Sequence, residues 1–127
     1  MTTVLDSGGV SALASNLALL KELRASGEWP PVVPAAVLTE SLTGDHRLDF
    51  HANRVLRRCA IRPVTELVAR HAAALRYASR RGDVSAVDAI VAATADQAGG
   101  GVVWTSDPSD LTALACHTVS RVHVAKV

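Results

Sequence analysis

Aromatic side chains are almost missing from this sequence: Trp29, Phe50, Tyr77 and Trp104 are the whole complement. A core must therefore be built mainly of Ala, Val and Leu, and a surface that relies on stacking nucleobases has few rings to use. Cysteine is limited to Cys59 and Cys116, too few and too far apart for a metal knuckle, so both are expected to be buried thiols in a reducing compartment. No run approaches about 18 consecutive apolar residues, and the first residues lack the basic and long apolar stretches of a signal peptide. The expectation is a soluble cytoplasmic protein.

What is present fits one domain, residues 1–127. A chain of this length buries roughly two thirds of the surface its unfolded form exposes and can fold alone. There is no internal repeat, low-complexity tract or linker.

Short β-rich runs alternate with longer helical ones. TTVL reads as a first strand stopped by DSGG, followed by helix over residues 10–26 with a break near Ser15 and Asn16. Pro30 and Pro31 precede a short strand at Val32 and Val33, and Pro34 suits the first turn of the helix AAVLTESL. Residues 45–57 are helical in composition, and CAIRPV is a third candidate strand. Val64, Leu67, Val68, His71 and Leu75 recur at spacings of three and four and predict a helix with that stripe inward. A lone His71 in the stripe reads as a satisfied core or boundary residue, since no second His stands at ligand spacing on that helix. RRGD breaks this helix, Ser85 to Ala98 forms another, GGG closes it, GVVWT is a buried strand and TVSRVHV a last, edge strand. Strands separated by helices imply right-handed crossovers and an α/β fold, a central, mostly parallel sheet with helices on both faces.

In such a sheet, ligands bind at the carboxyl ends of the strands. Asp6 and Asp107 each stand just past a strand, and Glu40 and Asp88 lie in helices. Each acid has a second reading. Asp6 suits a helix N-cap, Ser85 with Asp88 three residues on suits a capping box, Asp107-Pro108 with Asp110 suits a cap with proline at the first helical position, and Glu40 suits a solvated face. Capping explains the acids one at a time, whereas a shared site explains why they recur at one end of the sheet. Gathered carboxylates need a cation, and a hard, oxygen-preferring ion such as Mg²⁺ fits them best.

The charge is unevenly spread. Residues 46–81 hold nine arginines against Asp49 and Glu66, a surplus of +7 in a chain whose net charge is +1, so the remainder carries −6. An acidic site beside a basic flank suits a metal centre that acts on a polyanion, with Arg57, Arg58, Arg80 and Arg81 as candidates for holding phosphates. The competing reading of these arginines is ordinary solvated helix surface.

VLDSGGVSAL, VPAAVLTESL and above all SAVDAIVAATADQAGGGVVWTSDPSDL resemble the PIN-domain ribonucleases, especially the VapC-type toxins of toxin–antitoxin pairs. The resemblance spans nearly the whole chain; Gly8 and the segment around Pro108 are less usual. It implies a PIN-like fold and assigns Asp6, Glu40, Asp88 and Asp107 to the acidic metal-binding set, with Asp110 as an adjacent candidate and Ser7 and Thr105 as small hydroxyl residues beside the acids. It also implies RNA cleavage with Mg²⁺ or Mn²⁺, control by a cognate small antitoxin and, in many members, a homodimer. No Ser/His/Asp or Cys/His arrangement stands out, so metal-bound water is the expected nucleophile. The main rival is a non-catalytic RNA- or protein-binding module on the same fold, which would be expected to have lost one or more acids. A phospho-accepting receiver domain fits poorly because Asp6 precedes Ser7 rather than a second acid, and a Rossmann-type binder lacks G-x-G-x-x-G after a strand.

Overall fold

A computed structural model describes all of residues 1–127. The elements run β1 (Thr2–Leu5), α1 (Ser7–Ser15), α2 (Leu17–Ala25), β2 (Val32–Pro34), a 3-10 turn (Ala35–Val37) leading into α3 (Leu38–Ser41), α4 (Phe50–Leu56), β3 (Ala60–Arg62), α5 (Glu66–Ser79), α6 (Ala86–Gln97), β4 (Gly101–Thr105), α7 (Pro108–Ala115) and β5 (Val122–Lys126). The strands form one sheet in the order β3-β2-β1-β4-β5. Every neighbouring pair is parallel, so the sheet is wholly rather than mostly parallel. Adjacent strand residues point to opposite faces, and Val4 and Leu5 of β1 are both fully buried. Both faces of the central strand are therefore covered, which is why β1 and β4 read as unbroken apolar runs.

The core is one contiguous cluster of Val, Leu and Ala with no aromatic member; Trp29 and Trp104 pack against it from partly exposed positions. No helix is long and apolar enough to cross a membrane.

Several sequence expectations shift on inspection. The break near Ser15 and Asn16 is real: Asn16 leaves helical geometry and its Oδ1 accepts the Leu19 N–H at 3.1 Å, capping α2. The helix expected over 45–57 is confined to Phe50–Leu56. Asp49 turns its carboxylate back on the preceding loop, accepting the Thr43 and Gly44 N–H groups at 2.8 Å each, and that loop chemistry competes with helix. AAVLTESL divides into a 3-10 turn and the short α3, with Pro34 as the last residue of β2. The inward stripe of α5 is rotated. Thr65 caps this helix and leaves Val64 outside it, Ala72 and Leu75 are buried, and Leu67 is 65% exposed. Cys59 is half-buried, and burial pushes its thiol up to about 11. Cys116 is exposed, contrary to expectation: it falls just past α7, whose inward residues are Leu111 and Leu114.

His71 is satisfied as expected. Its Nε2 lies 2.6 Å from Asp96 Oδ2, while Asp96 also accepts the Ser120 N–H at 2.7 Å and the Val119 N–H at 3.1 Å. One buried carboxylate thus ties α5, α6 and the entry to β5. Burial works to raise the Asp96 carboxyl, but the bonds from Ser120, His71 and Val119 outweigh it and hold it below the usual carboxylate value. A carboxylate lowered in the fold contributes stability above the unfolded value, about 3.9, which is lost as pH falls through the folded value. Asp96→Asn is expected to cost about 1–3 kcal/mol at pH 7 by weakening these bonds, with a smaller gap from wild type at pH 3. Urea titrations at the two pH values check this, and an equal gap at both would contradict it.

Candidate active site

The strands' carboxyl ends lead into helix N-termini, and this geometry places the acids. Asp6 follows β1 and caps α1, its Oδ1 accepting the Gly9 N–H at 2.8 Å, and the residue is 7% exposed. Asp107 follows β4 and caps α7, with Oδ1 3.4 Å from the Ser109 nitrogen. Asp88 lies in the first turn of α6 behind its cap Ser85, whose hydroxyl accepts the Asp88 N–H at 3.0 Å. Asp110 occupies the first turn of α7, and Glu40 lies on α3. Capping and gathering are thus not rivals: carboxylates favour helix N-termini, and here those termini converge.

The electrostatics record that convergence. The Asp88 carboxyl is raised by burial and then by the negative charges of Asp6, Asp110 and Glu40, against the Ser85 hydroxyl, which lowers it. Three of the sequence-derived acids therefore bear on a fourth, Asp88. Asp107 is not among the charges that raise Asp88, and, like Glu40, it is exposed. Thr105 holds the Asp107 backbone rather than its carboxylate: its Oγ1 accepts the Asp107 N–H at 3.1 Å and donates to the Asp107 carbonyl at 3.2 Å.

Two glycines let these parts approach. A Cβ on Gly8 would stand 2.3 Å from Ser106 Oγ, and one on Gly9 would stand 2.4 Å from the Trp104 carbonyl oxygen. The turn after β1 is thus seated directly on the turn after β4. Gly8, less usual in the sequence pattern, is here a packing requirement set by Ser106.

The donor set suits a hard cation. No three His, Cys, Asp or Glu side chains stand close enough to complete a ligand shell among themselves. Zinc, which takes four protein ligands in structural sites and three in catalytic ones, does not fit this pocket. A hard cation such as Mg²⁺ asks less of the protein, because it retains several waters and is usually held by one or two carboxylates together with substrate phosphate.

A cleft of about 470 Å³ opens beside the acids, lined by Ser7, Gly8, Glu40, Ser41, His51 and Ser106 among others. Ala14 and His51 also line a second, smaller cleft of about 130 Å³, whose apolar wall is Leu13, Leu17, Leu20 and Val55, with Arg54 and Arg58 at its edge. The two adjoin at these residues as a trough that starts beside α1 and ends between α1, α2 and α4. His51 is the residue at this junction that sequence reading missed, since it lies on an amphipathic stretch with no motif of its own.

The arginines separate into two situations. Arg57 and Arg58 close α4 just before β3, with Arg58 Nη1 donating to the Arg54 carbonyl at 2.9 Å. Arg58 lines the smaller cleft with Leu13, which lies about 10 Å along α1 from Asp6, and no ion pair joins Arg57 or Arg58 to an acid of the pocket. Arg80 is exposed and ends α5 in the left-handed conformation. Arg81 reaches the pocket, with Nη2 2.7 Å from Asp110 Oδ1. Its partner is 29 residues away in sequence, so no local spacing announced the pair.

Comparison with known proteins agrees with this architecture. Residues 11–114 match the model of the PIN domain family, a stretch that starts just after Asp6. The fold is similar to the DNA-bound VapBC from Salmonella typhimurium, with a TM-score of 0.73 and 16% identity over 99% of this chain and 98% of that one. It is also similar to a toxin–antitoxin complex from Klebsiella pneumoniae, with a TM-score of 0.69 and 18% identity over 99% and 100% of the two chains. FitAcB from Neisseria gonorrhoeae gives a TM-score of 0.62 and 23% identity over 97% and 96%. A search of curated proteins finds no match. At these identities the structures speak for the fold, and the family match covers most of the chain; the protein belongs to the PIN domain family.

Proposed function

We propose that this PIN-domain protein is a divalent-metal-dependent ribonuclease that acts as the toxin of a toxin–antitoxin pair. The observation that carries the reading is the gathering of Asp6, Glu40 and Asp110 around Asp88, whose carboxyl they and burial raise, at the carboxyl end of a parallel sheet. Holding like charges near one another costs stability, which a bound cation would offset.

Asp6, Glu40, Asp88 and Asp107, with Asp110 beside them, are assigned to the set that would hold Mg²⁺ or Mn²⁺, one or two of them directly and the others through the ion's waters. Bound there, the ion would supply Lewis acidity at the scissile phosphate and a lowered pKa for the attacking water. The chain's own part is positional. Asp6 is fixed by the Gly9 N–H, Thr105 fixes the Asp107 backbone, and Ser7 lines the cleft through which an RNA strand would pass. Arg80 and Arg81 at the end of α5 are assigned to the strand's phosphates. Arg57 and Arg58 at the end of α4, with Arg58 at the edge of the apolar cleft, are assigned to the RNA backbone as well.

The partner reading draws on the trough. An antitoxin segment with apolar side chains against Leu13, Leu17 and Leu20 would lead past His51 into the acidic cleft and shut it. The similar solved structure from Klebsiella is a toxin–antitoxin complex and the one from Salmonella is DNA-bound VapBC, which supports an antitoxin partner here, in the cytoplasm where RNA and antitoxin meet.

Purified protein incubated with single-stranded RNA and Mg²⁺, Mn²⁺ or a chelator tests the enzymatic part. Cleavage is expected with either ion and should stop with the chelator. A folded protein that cuts no RNA with any divalent ion yet still binds RNA or a partner would instead be the non-catalytic module.

A further inference from the structure

Of the five acids at the candidate centre, only Asp110 has an ion-pair partner, and that partner is Arg81. The contact differs in kind from the other arginine pairs. Arg70–Glu66 and Arg47–Asp45 are surface pairs whose arginines are 78% and 91% exposed, whereas the Arg81 and Asp110 side chains are 35% and 30% exposed. The backbone delivers Arg81 to this position. Arg80 adopts φ 54°, turning the chain out of α5. Beyond it, the Val84 N–H donates to the Arg81 carbonyl at 3.3 Å, and Arg76 Nε donates to the Val84 carbonyl at 3.1 Å. Val84 itself is buried in the core. The same Nη2 stands 3.5 Å from Asp83, so Arg81 has a second carboxylate to fall back on when it leaves Asp110.

We propose that Arg81 is a built-in counter-ion that occupies Asp110 until a divalent cation enters, so that guanidinium and metal compete for one carboxylate and metal entry frees Arg81 for the RNA backbone. This rests on the reading of the pocket as a metal site. It makes Arg81 a positioning residue with two partners in sequence: Asp110 in the metal-free protein and phosphate in the loaded one. Guanidinium suits both, since its fork matches carboxylate and phosphate oxygens alike.

Mn²⁺ titration followed by the electron paramagnetic resonance signal of the free ion tests it without reference to cleavage. Arg81→Gln is expected to bind Mn²⁺ about 10-fold more tightly than wild type, in the range seen when groups around a metal site are changed. Arg81→Lys, which keeps the charge, should stay closer to wild type. In an Asp110→Asn background the gain from Arg81→Gln should vanish, because the contested carboxylate is gone. Equal or weaker Mn²⁺ binding by folded Arg81→Gln overturns the proposal and leaves the nuclease reading standing. A gain that persists undiminished in Asp110→Asn also overturns it, since the charge would then act at large. Absence of Mn²⁺ binding in wild type and Arg81→Gln alike overturns both readings. If Arg81→Gln does not fold, the Arg81 guanidinium ¹⁵N resonance of the wild-type protein, assigned through Arg81→Lys, decides. It is expected to shift as Mg²⁺ saturates the protein, and an unmoved signal at saturation overturns the exchange.

Discussion

Asp88→Asn should lower Mn²⁺-dependent cleavage of single-stranded RNA by at least about 10-fold, the low end expected when a metal's surroundings are disturbed, while leaving the metal-free protein as stable as wild type or more so. The two halves have one cause. Burial and the charges of Asp6, Asp110 and Glu40 raise the Asp88 carboxyl in the fold. A carboxylate raised in this way opposes folding once the pH exceeds its unfolded value, about 3.9, and the full penalty applies above the folded value. The neutral amide removes that penalty at pH 7, and the Ser85 hydroxyl can still accept the backbone N–H of residue 88. Activity traded against stability at one side chain is a mark of a functional group. Thermal melts without metal, set beside cleavage rates with Mn²⁺, check both halves. An Asp88→Asn protein that cleaves at the wild-type rate would falsify the assignment of Asp88 to the reaction.

Gly9→Ala is expected to destabilise the protein by about 3 kcal/mol, the upper part of the range for overpacking a filled site, and to lower the melting temperature by roughly 10 °C or more in a domain of this size. The added carbon would meet the Trp104 carbonyl oxygen at 2.4 Å and Leu5 Cβ at 3.4 Å. The first obstacle is backbone of the neighbouring strand and cannot rotate aside. Relief requires α1 to lift from β4, and because the Gly9 N–H is the donor to Asp6 Oδ1, the acid moves with it. Cleavage should therefore fall even well below the melting temperature. Gly82→Ala is the control, since nothing lies within 4 Å of its added carbon. It should be neutral or slightly stabilising through the unfolded state. Equal melting temperatures for the two variants would remove the close seating of the two turns from the account of the site.

The architecture was readable because each strand of a covered parallel sheet must be apolar on both faces, and VL in β1, VV in β2 and VV in β4 carry that pattern without interruption. Helix ends were readable where chemistry marks them, as at Asn16, Ser85 and Asp107. The rotation of α5 was not. Val64, Leu67, Val68, His71 and Leu75 form a plausible stripe on a helical wheel, yet Thr65 starts the helix after Val64 and α6 takes the Ala72 and Leu75 face, leaving Leu67 in solvent. The acids were found through their places at strand ends and helix starts. Their unequal coupling was hidden, because Asp110 bears on Asp88 and meets Arg81 from 29 residues away, which no local spacing shows. The arginine block illustrates the same limit. Charge counting marks it as one feature, but only tertiary contact separates Arg81, held at the acids, from Arg58, held at the apolar trough.

The pairing of β1 with β4 joins Thr2 to Gly101, 99 residues apart in a chain of 127. A nascent chain emerging from the ribosome carries Asp6 early, but until Gly101–Thr105 has been made β1 lacks its main neighbour, and until Asp110 has followed the pocket lacks its last acid. Pairings between such distant segments form slowly and late. Synthesis therefore supplies a delay of its own: the acids are dispersed along a growing polymer for most of translation, and they meet only when a nearly finished chain closes the centre of its sheet.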